Sequence, residues 1–444
     1  MRKAVSGLPC AFWWLWTSIL VTRLGSFVAP FLVLYLTTER GWSASSAGGV
    51  AALYGAGGAA ASLAGGVLAD RVGRHTVLLV TQPVAAGLTA ALGFADQPAL
   101  IAVLACAVGA AGNASRPVVQ TVLADVVAPA DQARAFSLYY WALNIGFAVA
   151  SASAGFLASY GYRWLFLAEA LTLLLSTFVI SARLPETRTA PAQIGEPGAD
   201  RQSGGLRTVL RDRPFLAVVG LAFALVVVFQ QASVGLPIAM HRDGLTAAQY
   251  GLVISVNGLL IVGLQLPLGR ALHGSHPRRP LILAALLCGW GFGLAAFAGG
   301  AAVYAVSVVV WTLGELVHAP LNMQLVARHS PGHARGRYQG VYTMAWSTAT
   351  ITAPLAGGTV IDRFGPDALW AACAAAGTCA AVGYWALLSE PDRHRPASSR
   401  GSTGRQRLQP ALSRLDPAKR DSGSHPVVTD NDDRQACNPP GSKR

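Results

Sequence analysis

Residues 65–75 read Gly-Gly-Val-Leu-Ala-Asp-Arg-Val-Gly-Arg-His, a short polar break between two long apolar runs. Gly66 lets another helix approach the end of the first run closely, and Gly73 supplies a backbone that can turn sharply before the second. Asp70 suits the positive N-terminal end of a nearby helix. The stretch therefore predicts a tight, charged connection between two membrane helices.

Long apolar runs continue along the chain on both sides of this break. Each reaches the ~20 residues that span a bilayer as a helix, and none alternates as a transmembrane strand would. There are twelve of them: 11–37, 46–69, 76–95, 99–124, 135–159, 164–184, 214–240, 248–270, 280–299, 302–327, 338–361 and 368–388. The 444 residues are 53% hydrophobic and only 12% charged, which excludes a soluble enzyme, a disordered chain and a disulfide scaffold.

The basic residues are distributed unequally between the polar breaks. Alternate breaks, including the one with Arg71 and Arg74, hold 17 Lys and Arg, whereas the other set holds four. The positive-inside rule places the basic set and both termini in the cytoplasm. The net charge of +13 therefore reflects topology, and we expect a multi-pass protein of the cell membrane with no nucleic-acid partner.

An internal repeat divides the chain. Pro117 and Ala124 recur as Pro320 and Ala327, at an offset of 203 residues. Two halves of like orientation are the plan of many secondary transporters. The predicted domains are an N-terminal six-helix bundle (1–184), a cytoplasmic linker (185–213), a C-terminal six-helix bundle (214–389) and a disordered cytoplasmic tail (390–444).

The loop at 65–75 resembles the signature loop of the major facilitator superfamily, and the resemblance extends over residues 11–389. The stretches Arg23–Tyr35 and Arg116–Asp125, with Arg134 and 144–146, are similar to the twelve-helix multidrug-efflux branch, the drug:proton antiporters. This implies an all-α membrane fold of two six-helix bundles related by a pseudo-two-fold axis, and proton-coupled export of small organic molecules by alternating access. It also implies that Asp70 and the nearby arginines form a cytoplasmic latch with the start of helix 11.

Two stretches depart from the family pattern. The antiporter motif in helix 5 continues as Gly-Pro-x-x-Gly-Gly, whereas residues 150–155 read Ala-Ser-Ala-Ser-Ala-Gly, which keeps the small side chains and loses the proline kink. The mirror loop at 269–274 lacks the acidic residue. These departures keep open a second interpretation, an importer or facilitator of a small metabolite with the same fold.

Ionisable and polar side chains inside the runs are candidate functional groups, because charge inside a bilayer is costly. Helices 4 and 10 each carry such residues at helical spacing, on one face. The predicted substrate and proton cavity comprises Arg23, Asn113, Arg116, Gln120, Gln230, Gln231, Glu315, His318 and Asn322. The predicted gating loop comprises Gly66, Asp70, Arg71, Gly73 and Arg74.

Glu315 with His318 is the best candidate pair for handling a proton or substrate; the alternative is a structural ion pair of Glu315 with Arg116 or Arg23. Arg116 either lowers the pKa of a nearby carboxylate or serves helix packing, and we expect Arg23 to be structural. Glu169 lies in a peripheral helix and is also expected to be structural. With two arginines against one clear acid, the cavity favours neutral or anionic substrates over lipophilic cations.

Other classes of protein fit the sequence less well. No Gly-x4-Gly-Lys-Ser/Thr loop is present for ATP, and the histidines and cysteines lack metal-ligand spacing. We therefore expect no cofactor, no metal and no enzymatic activity, with a membrane-embedded enzyme as a remote alternative. The expected partners are a small-molecule substrate, protons and the lipid bilayer, and we expect a monomer.

Overall fold

The structure is a computed structural model that describes residues 7–183, 206–272, 276–331 and 334–389. Within these residues the regular elements are all helical. Each of the twelve predicted apolar runs corresponds to one long helix or to one helix in two pieces, which confirms the all-α fold. The predicted linker (185–213) is described only from residue 206 onward and the predicted tail (390–444) lies outside the described residues, so the domain boundaries stay predictions.

The first set of six helices covers the described residues up to 183. It consists of α1 (Cys10–Leu24 and Val28–Thr38), α2 (Ala44–Val72), α3 (Arg74–Gly93), α4 (Pro98–Val126), α5 (Gln132–Ala158) and α6 (Tyr162–Arg183). Short connections between these helices reverse the chain from one end of the bundle to the other. We call the end at which α1 begins the terminal end, and the end at which α2 begins the distal end.

The second set of six helices follows a short helix, Leu206–Val209. It consists of α7 (Arg213–Phe229 and Gly235–Arg242), α8 (Ala247–Ala271), α9 (Arg278–Gly293), α10 (Ala301–His329), α11 (Arg335–Phe364) and α12 (Pro366–Leu387). α7 is divided by a turn of 3-10 helix at Gln230–Ser233, and α1 is divided at residues 25–27. The two breaks are related by nearly the same offset as the sequence repeat.

Helix packing follows one pattern in both sets. In the first set α2 packs on α4, α3 packs on α4 and α6, and α1 packs on α5 and α6. The corresponding pairs in the second set are α8 with α10, α9 with α10 and α12, and α7 with α11 and α12. The junction between the sets consists chiefly of α2 against α11 and α5 against α8, which exchange under the same correspondence. This arrangement agrees with the predicted pseudo-two-fold relation.

Judged on the described residues alone, ten helices are long and apolar enough to cross a membrane by length and composition. The other two, α2 and α11, pack against each other at the junction. Both are rich in small residues at their mutual contact. A Cβ on Gly48 would overlap the carbonyl oxygen of Pro354, and one on Gly55 would lie 2.8 Å from that of Thr350. Small residues allow such close backbone approach.

Polar bonds strengthen this junction near its distal end. The Asp362 carboxylate, in the last turn of α11, accepts the backbone N–H of Ala44 at 3.0 Å and of Ser45 at 2.8 Å, at the start of α2. The Tyr250 hydroxyl of α8 donates to the carbonyl oxygen of Pro30 in α1 at 3.2 Å. These hydrogen bonds and the close contacts of Gly48 and Gly55 lie in the distal halves of the helices. The close contact of Gly258 in α8 with Asn144 in α5 lies near the middle.

Within the described part of the chain, the apolar clusters also join the two sets at the distal end and not at the terminal end. One cluster bridges both sets at the distal end and includes Phe31 of α1 and Tyr250 of α8, whose rings are 5.1 Å apart. At the terminal end each set has a cluster of its own, around Phe12 in the first and Phe215 in the second. We call the joined distal halves of α2, α5, α8 and α11, with their bonds, the distal seal.

Small side chains in α5 make the second half of the seal possible. The residues that depart from the antiporter motif, 150–155, include Ala150, Ser151 and Ala154, all fully buried. A Cβ on Gly251 would overlap the carbonyl oxygen of Ser151, so the backbones of α5 and α8 are in direct contact. We expected α5 to keep its close packing without the proline of the antiporter motif, and this contact agrees with that expectation.

Candidate functional site

A cavity of about 100 Å³ lies among the helices of the first set. All six helices contribute to its wall, and Arg23, Asn113 and Arg116 of the predicted site line it. Its other polar lining residues are Ser18, Thr22, Ser26, Tyr54, Gln82, Thr89, Ser115, Tyr139 and Glu169. At about 30 Å³ of liquid volume per water molecule, it has room for a few waters or one small ligand.

The polar face of α4 brings two predicted residues together. The amide of Asn113 donates to the carbonyl oxygen of Gly109 at 2.9 Å, and Nη1 of Arg116 donates to Oδ1 of Asn113 at 3.4 Å. Gln120 follows on the same helix, where it is exposed and does not line the cavity. The predicted face of α4 is therefore divided between the cavity and its surroundings.

Glu169 of α6 holds the break in α1. Its Oε2 accepts the backbone N–H of Phe27 at 2.9 Å and of Val28 at 2.7 Å. These N–H groups start the second piece of α1 and lack partners within their own helix. Glu169 is thus structural, as expected, but it also lines the cavity beside Arg23, and the sequence did not suggest that position.

Arg23 lies in the wall where α1 meets α5. A Cβ on Gly146 would overlap the Cβ of Arg23, so the two helices touch at this point. Its guanidinium interacts electrostatically with Arg116, Tyr139, Tyr54 and Glu169. The alternative partner considered from sequence, Glu315, is not among them.

Glu315 lies in the second set, half-buried near the middle of α10. Nδ2 of Asn257, on α8, donates to Oε2 of Glu315 at 2.9 Å and lies 3.0 Å from Oγ1 of Thr312. Across the junction, Glu315 interacts electrostatically with Tyr140 of α5. Among the described residues Glu315 has no ion pair with an arginine, so the alternative of a pair with Arg116 or Arg23 is not what the structure contains.

His318 is separated from Glu315 although only one turn lies between them. It is 2% exposed, and its Nε2 lies 3.2 Å from the Tyr384 hydroxyl of α12. Asn322 is also buried, and its Nδ2 donates to the Tyr342 hydroxyl at 3.4 Å. The face predicted on α10 therefore contacts three different neighbouring helices, and Glu315 and His318 do not form a joint site.

The glutamines of α7 lie at the break in that helix. Gln231 is buried and donates from Nε2 to the carbonyl oxygen of Ala353 on α11 at 3.1 Å, whereas Gln230 is half-buried beside it. Neither lines the cavity of the first set. Gln231 joins α7 to α11 near the distal seal, which is a structural use.

The predicted gating loop lies at the terminal end. Gly73 has a φ of +90°, which explains the need for glycine there. Arg74 forms an ion pair with Asp125 at the end of α4, and Arg71 is exposed. Gly66 and the side chain of Asp70 lie outside what the structure describes, so the latch with α11 stays a prediction.

Sequence reasoning missed two residues that join the two sets, Asp362 and Tyr250. It did single out Glu169, because an acid in an apolar run signals a structural or functional role, although it did not predict the position of Glu169 at the cavity. Asp362 and Tyr250 carry no such signal, since each lies near a helix end where polar residues are ordinary. At the same end, Arg40 bonds Asp96 at 2.8 Å, and this bond raises the pKa of Arg40 above its ordinary value, so its charge is permanent.

Comparison with known proteins identifies a group of similar sequences. The sequence model of the Major Facilitator Superfamily matches residues 15–351 and 236–427. The uncharacterized MFS-type transporter YttB of Bacillus subtilis is 27% identical over 357 residues, covering 78% of this chain and 86% of its own. The multidrug resistance protein MdtH of Aeromonas hydrophila is 24% identical, covering 79% of this chain and 87% of its own.

A further relative carries a different name. The Na(+), Li(+), K(+)/H(+) antiporter of Planococcus maritimus is 25% identical, covering 74% of this chain and 84% of its own. Among solved structures, the nucleoside transporter NupG superposes with a TM-score of 0.72 at 13% identity, covering 84% of this chain and 99% of its own. A peptide transporter POT gives 0.71 at 18% identity, covering 87% and 95%. At such low identities the structures show the fold alone.

Proposed function

Because this chain belongs to the major facilitator superfamily, we propose that it is a secondary transporter that exports small organic molecules in exchange for protons. It works by alternating access between its two six-helix bundles, and it belongs to the multidrug-efflux branch. We place it in the cell membrane as a monomer, with both termini and the gating loop in the cytoplasm. On this orientation the distal seal faces outward, and the described arrangement is closed to the outside.

Glu315 carries the proposal of proton coupling. A carboxylate in the middle of a membrane helix is costly unless it is used, and this one is held by an amide, Asn257, rather than by a cation. An amide tolerates either protonation state, because it donates to the carboxylate and its own oxygen accepts from the acid. Glu315 takes a proton from outside as substrate leaves and releases it inward before substrate binds again.

Names of relatives support the exporter branch. One relative is named a multidrug resistance protein and another a monovalent cation/proton antiporter, and both match most of this chain. The second name describes transport in exchange for protons, and the first describes resistance to several drugs. The match to the transporter family also favours a transporter over the membrane-embedded enzyme considered from sequence.

The test is transport by the full chain in proteoliposomes under an imposed pH gradient, with a panel of cationic, neutral and anionic compounds. Glu315→Gln keeps an oxygen that accepts from Asn257 and removes the titration, so we expect loss of pH-driven flux with substrate exchange retained. Glu39→Gln, which removes an exposed acid at the end of α1, is the matched control and should behave as wild type. Unchanged pH-driven flux in Glu315→Gln would refute the role of this residue.

The second candidate is an importer or facilitator of a small metabolite, and the proline-free sequence of α5 at 150–155 is what favours it. Flux measured in inverted against right-side-out vesicles separates the two. Proton-driven uptake into inverted vesicles supports the exporter, and uptake confined to right-side-out vesicles supports the importer.

A further inference from the structure

Two guanidinium groups line the cavity of the first set and have few protein partners among the described residues. The Arg23 side chain, which is half-buried, makes no hydrogen bond and no ion pair with them. Arg116 is exposed and has a single hydrogen bond to them, at 3.4 Å, to the neutral amide of Asn113. Both lie within membrane helices, where cations are found paired with an anion or bonded to carbonyl groups.

The acid beside them is committed elsewhere. Both hydrogen bonds of Glu169 go to Phe27 N–H and Val28 N–H, through the same oxygen. A helix N-terminus carries a positive charge of roughly half a unit, so it takes up part of the carboxylate charge. Two positive charges therefore face one negative charge that is already shared with the backbone.

Further hydrogen-bond donors complete the surroundings of the arginines. The hydroxyls of Tyr54 on α2 and Tyr139 on α5 line the cavity, and both side chains interact electrostatically with Arg23. The Thr89 hydroxyl of α3 lines it too, is fully buried and has no hydrogen-bond partner. An unpartnered buried hydroxyl in the same cavity as two cations favours an anionic or strongly accepting ligand.

We propose that this cavity binds one small monovalent anion, held by Arg23 and Arg116 and by the hydroxyls around them. The cavity of about 100 Å³ has room for a halide or a short carboxylate. The anion is either a resident inorganic ion or the carboxylate end of a transported substrate. Binding itself does not depend on the proposed function, and only the second source rests on it.

The experiment is a titration of the purified full chain, in detergent without a pH gradient, with chloride and with acetate, against gluconate as a bulky comparison anion. Binding is read by calorimetry and by the rise in melting temperature that a ligand of the native state produces. We expect saturable binding of at least one small anion and none of gluconate. Acetate that is also exchanged by proteoliposomes identifies a transported carboxylate, whereas chloride binding alone identifies a resident ion.

The variants are chosen to move affinity in opposite directions. Arg23→Gln and Arg116→Gln remove one charge each and should weaken binding about tenfold or more. Glu169→Gln keeps an oxygen for the backbone N–H groups of α1 and removes the negative charge, so it should strengthen binding several-fold. Arg163→Gln, at an exposed arginine at the start of α6, lowers net charge equally and should leave affinity unchanged. Arg23→Lys and Arg116→Lys keep the charge if a glutamine variant fails to fold.

Opposite changes in anion affinity in the arginine variants and in Glu169→Gln separate a binding role from a structural one. If the arginines only supported the fold, Glu169→Gln would not strengthen binding. Absence of saturable binding of both chloride and acetate would overturn the proposal. So would wild-type affinity in both arginine variants, or weakened binding in Glu169→Gln. Glu315→Gln should lose pH-driven flux and bind anions normally. This result would show that proton coupling at Glu315 and anion binding at the arginines can be tested separately.

Discussion

The strength of the distal seal can be tested at Asp362. Its two carboxylate oxygens each accept one backbone N–H at the start of α2, so Asp362→Ala removes both bonds and the favourable charge at a helix N-terminus. Bonds to charged groups contribute about 1.5–3 kcal/mol, and a carboxylate at an exposed helix start contributes about 0.3–1 kcal/mol. Because Asp362 is exposed, water competes for both bonds and screens the charge, so we expect a total loss below the sum of these figures, about 1–2 kcal/mol.

A loss of this size changes the ratio of sealed to unsealed molecules about five- to thirtyfold. Spin labels at Tyr160→Cys and Gly299→Cys, both exposed at the distal end of opposite sets, report the separation of the sets by electron-electron resonance. We expect a second, longer distance to gain population in Asp362→Ala and to gain less in Asp362→Asn, which keeps one accepting oxygen.

The matched control is Asp96→Asn, which breaks the ion pair with Arg40 inside the first set and leaves the junction intact. It should not alter the distance distribution. An unchanged distribution in Asp362→Ala would mean that the apolar cluster alone closes the distal end. The same change in both variants would mean that any loss of acid at this end loosens it, and the reasoning from the N–H groups of α2 would be wrong.

Two further expectations follow from packing. Gly48→Leu forces α2 away from the Pro354 carbonyl, so it should populate the longer distal distance or lower the melting temperature. Gly49→Leu is the control and should do neither, because a Cβ on Gly49 meets nothing within 4 Å. Equal effects of the two variants would contradict the contact. His318→Gln should lower the free energy of unfolding by about 1–3 kcal/mol through the lost contact with Tyr384, and the melting temperature with it. It should leave the pH dependence of transport unchanged. An altered pH profile would return His318 to the transport mechanism.

The helices and their order could be predicted from the sequence because hydrophobic runs of bilayer length leave few alternatives. The break in α1 could not, since residues 25–27 contain one glycine and no proline. That break leaves the N–H groups of Phe27 and Val28 at the start of a new helical piece, where both donate to Glu169 and so decide its role. A residue in a peripheral helix thereby reaches the cavity.

The polar faces are periodic patterns in the sequence, and a pattern does not say which neighbour each residue meets. Glu315 and His318 are three residues apart, which places them on one side of α10. Their partners nevertheless belong to α8 and α12, because three helices share that side. Only the packing of whole helices resolves such assignments.

The separation of the two polar sites gives α5 a particular importance. Tyr139 lines the cavity with Arg23 and Arg116, and the next residue, Tyr140, interacts with Glu315 in the second set. Consecutive residues of a helix point about 100° apart, so one helix faces both sites at once. α5 also contacts α8 through Gly155 in the distal seal. A tilt of α5 would therefore change the surroundings of both tyrosines together, so this helix couples the surroundings of Glu315 to those of the arginines.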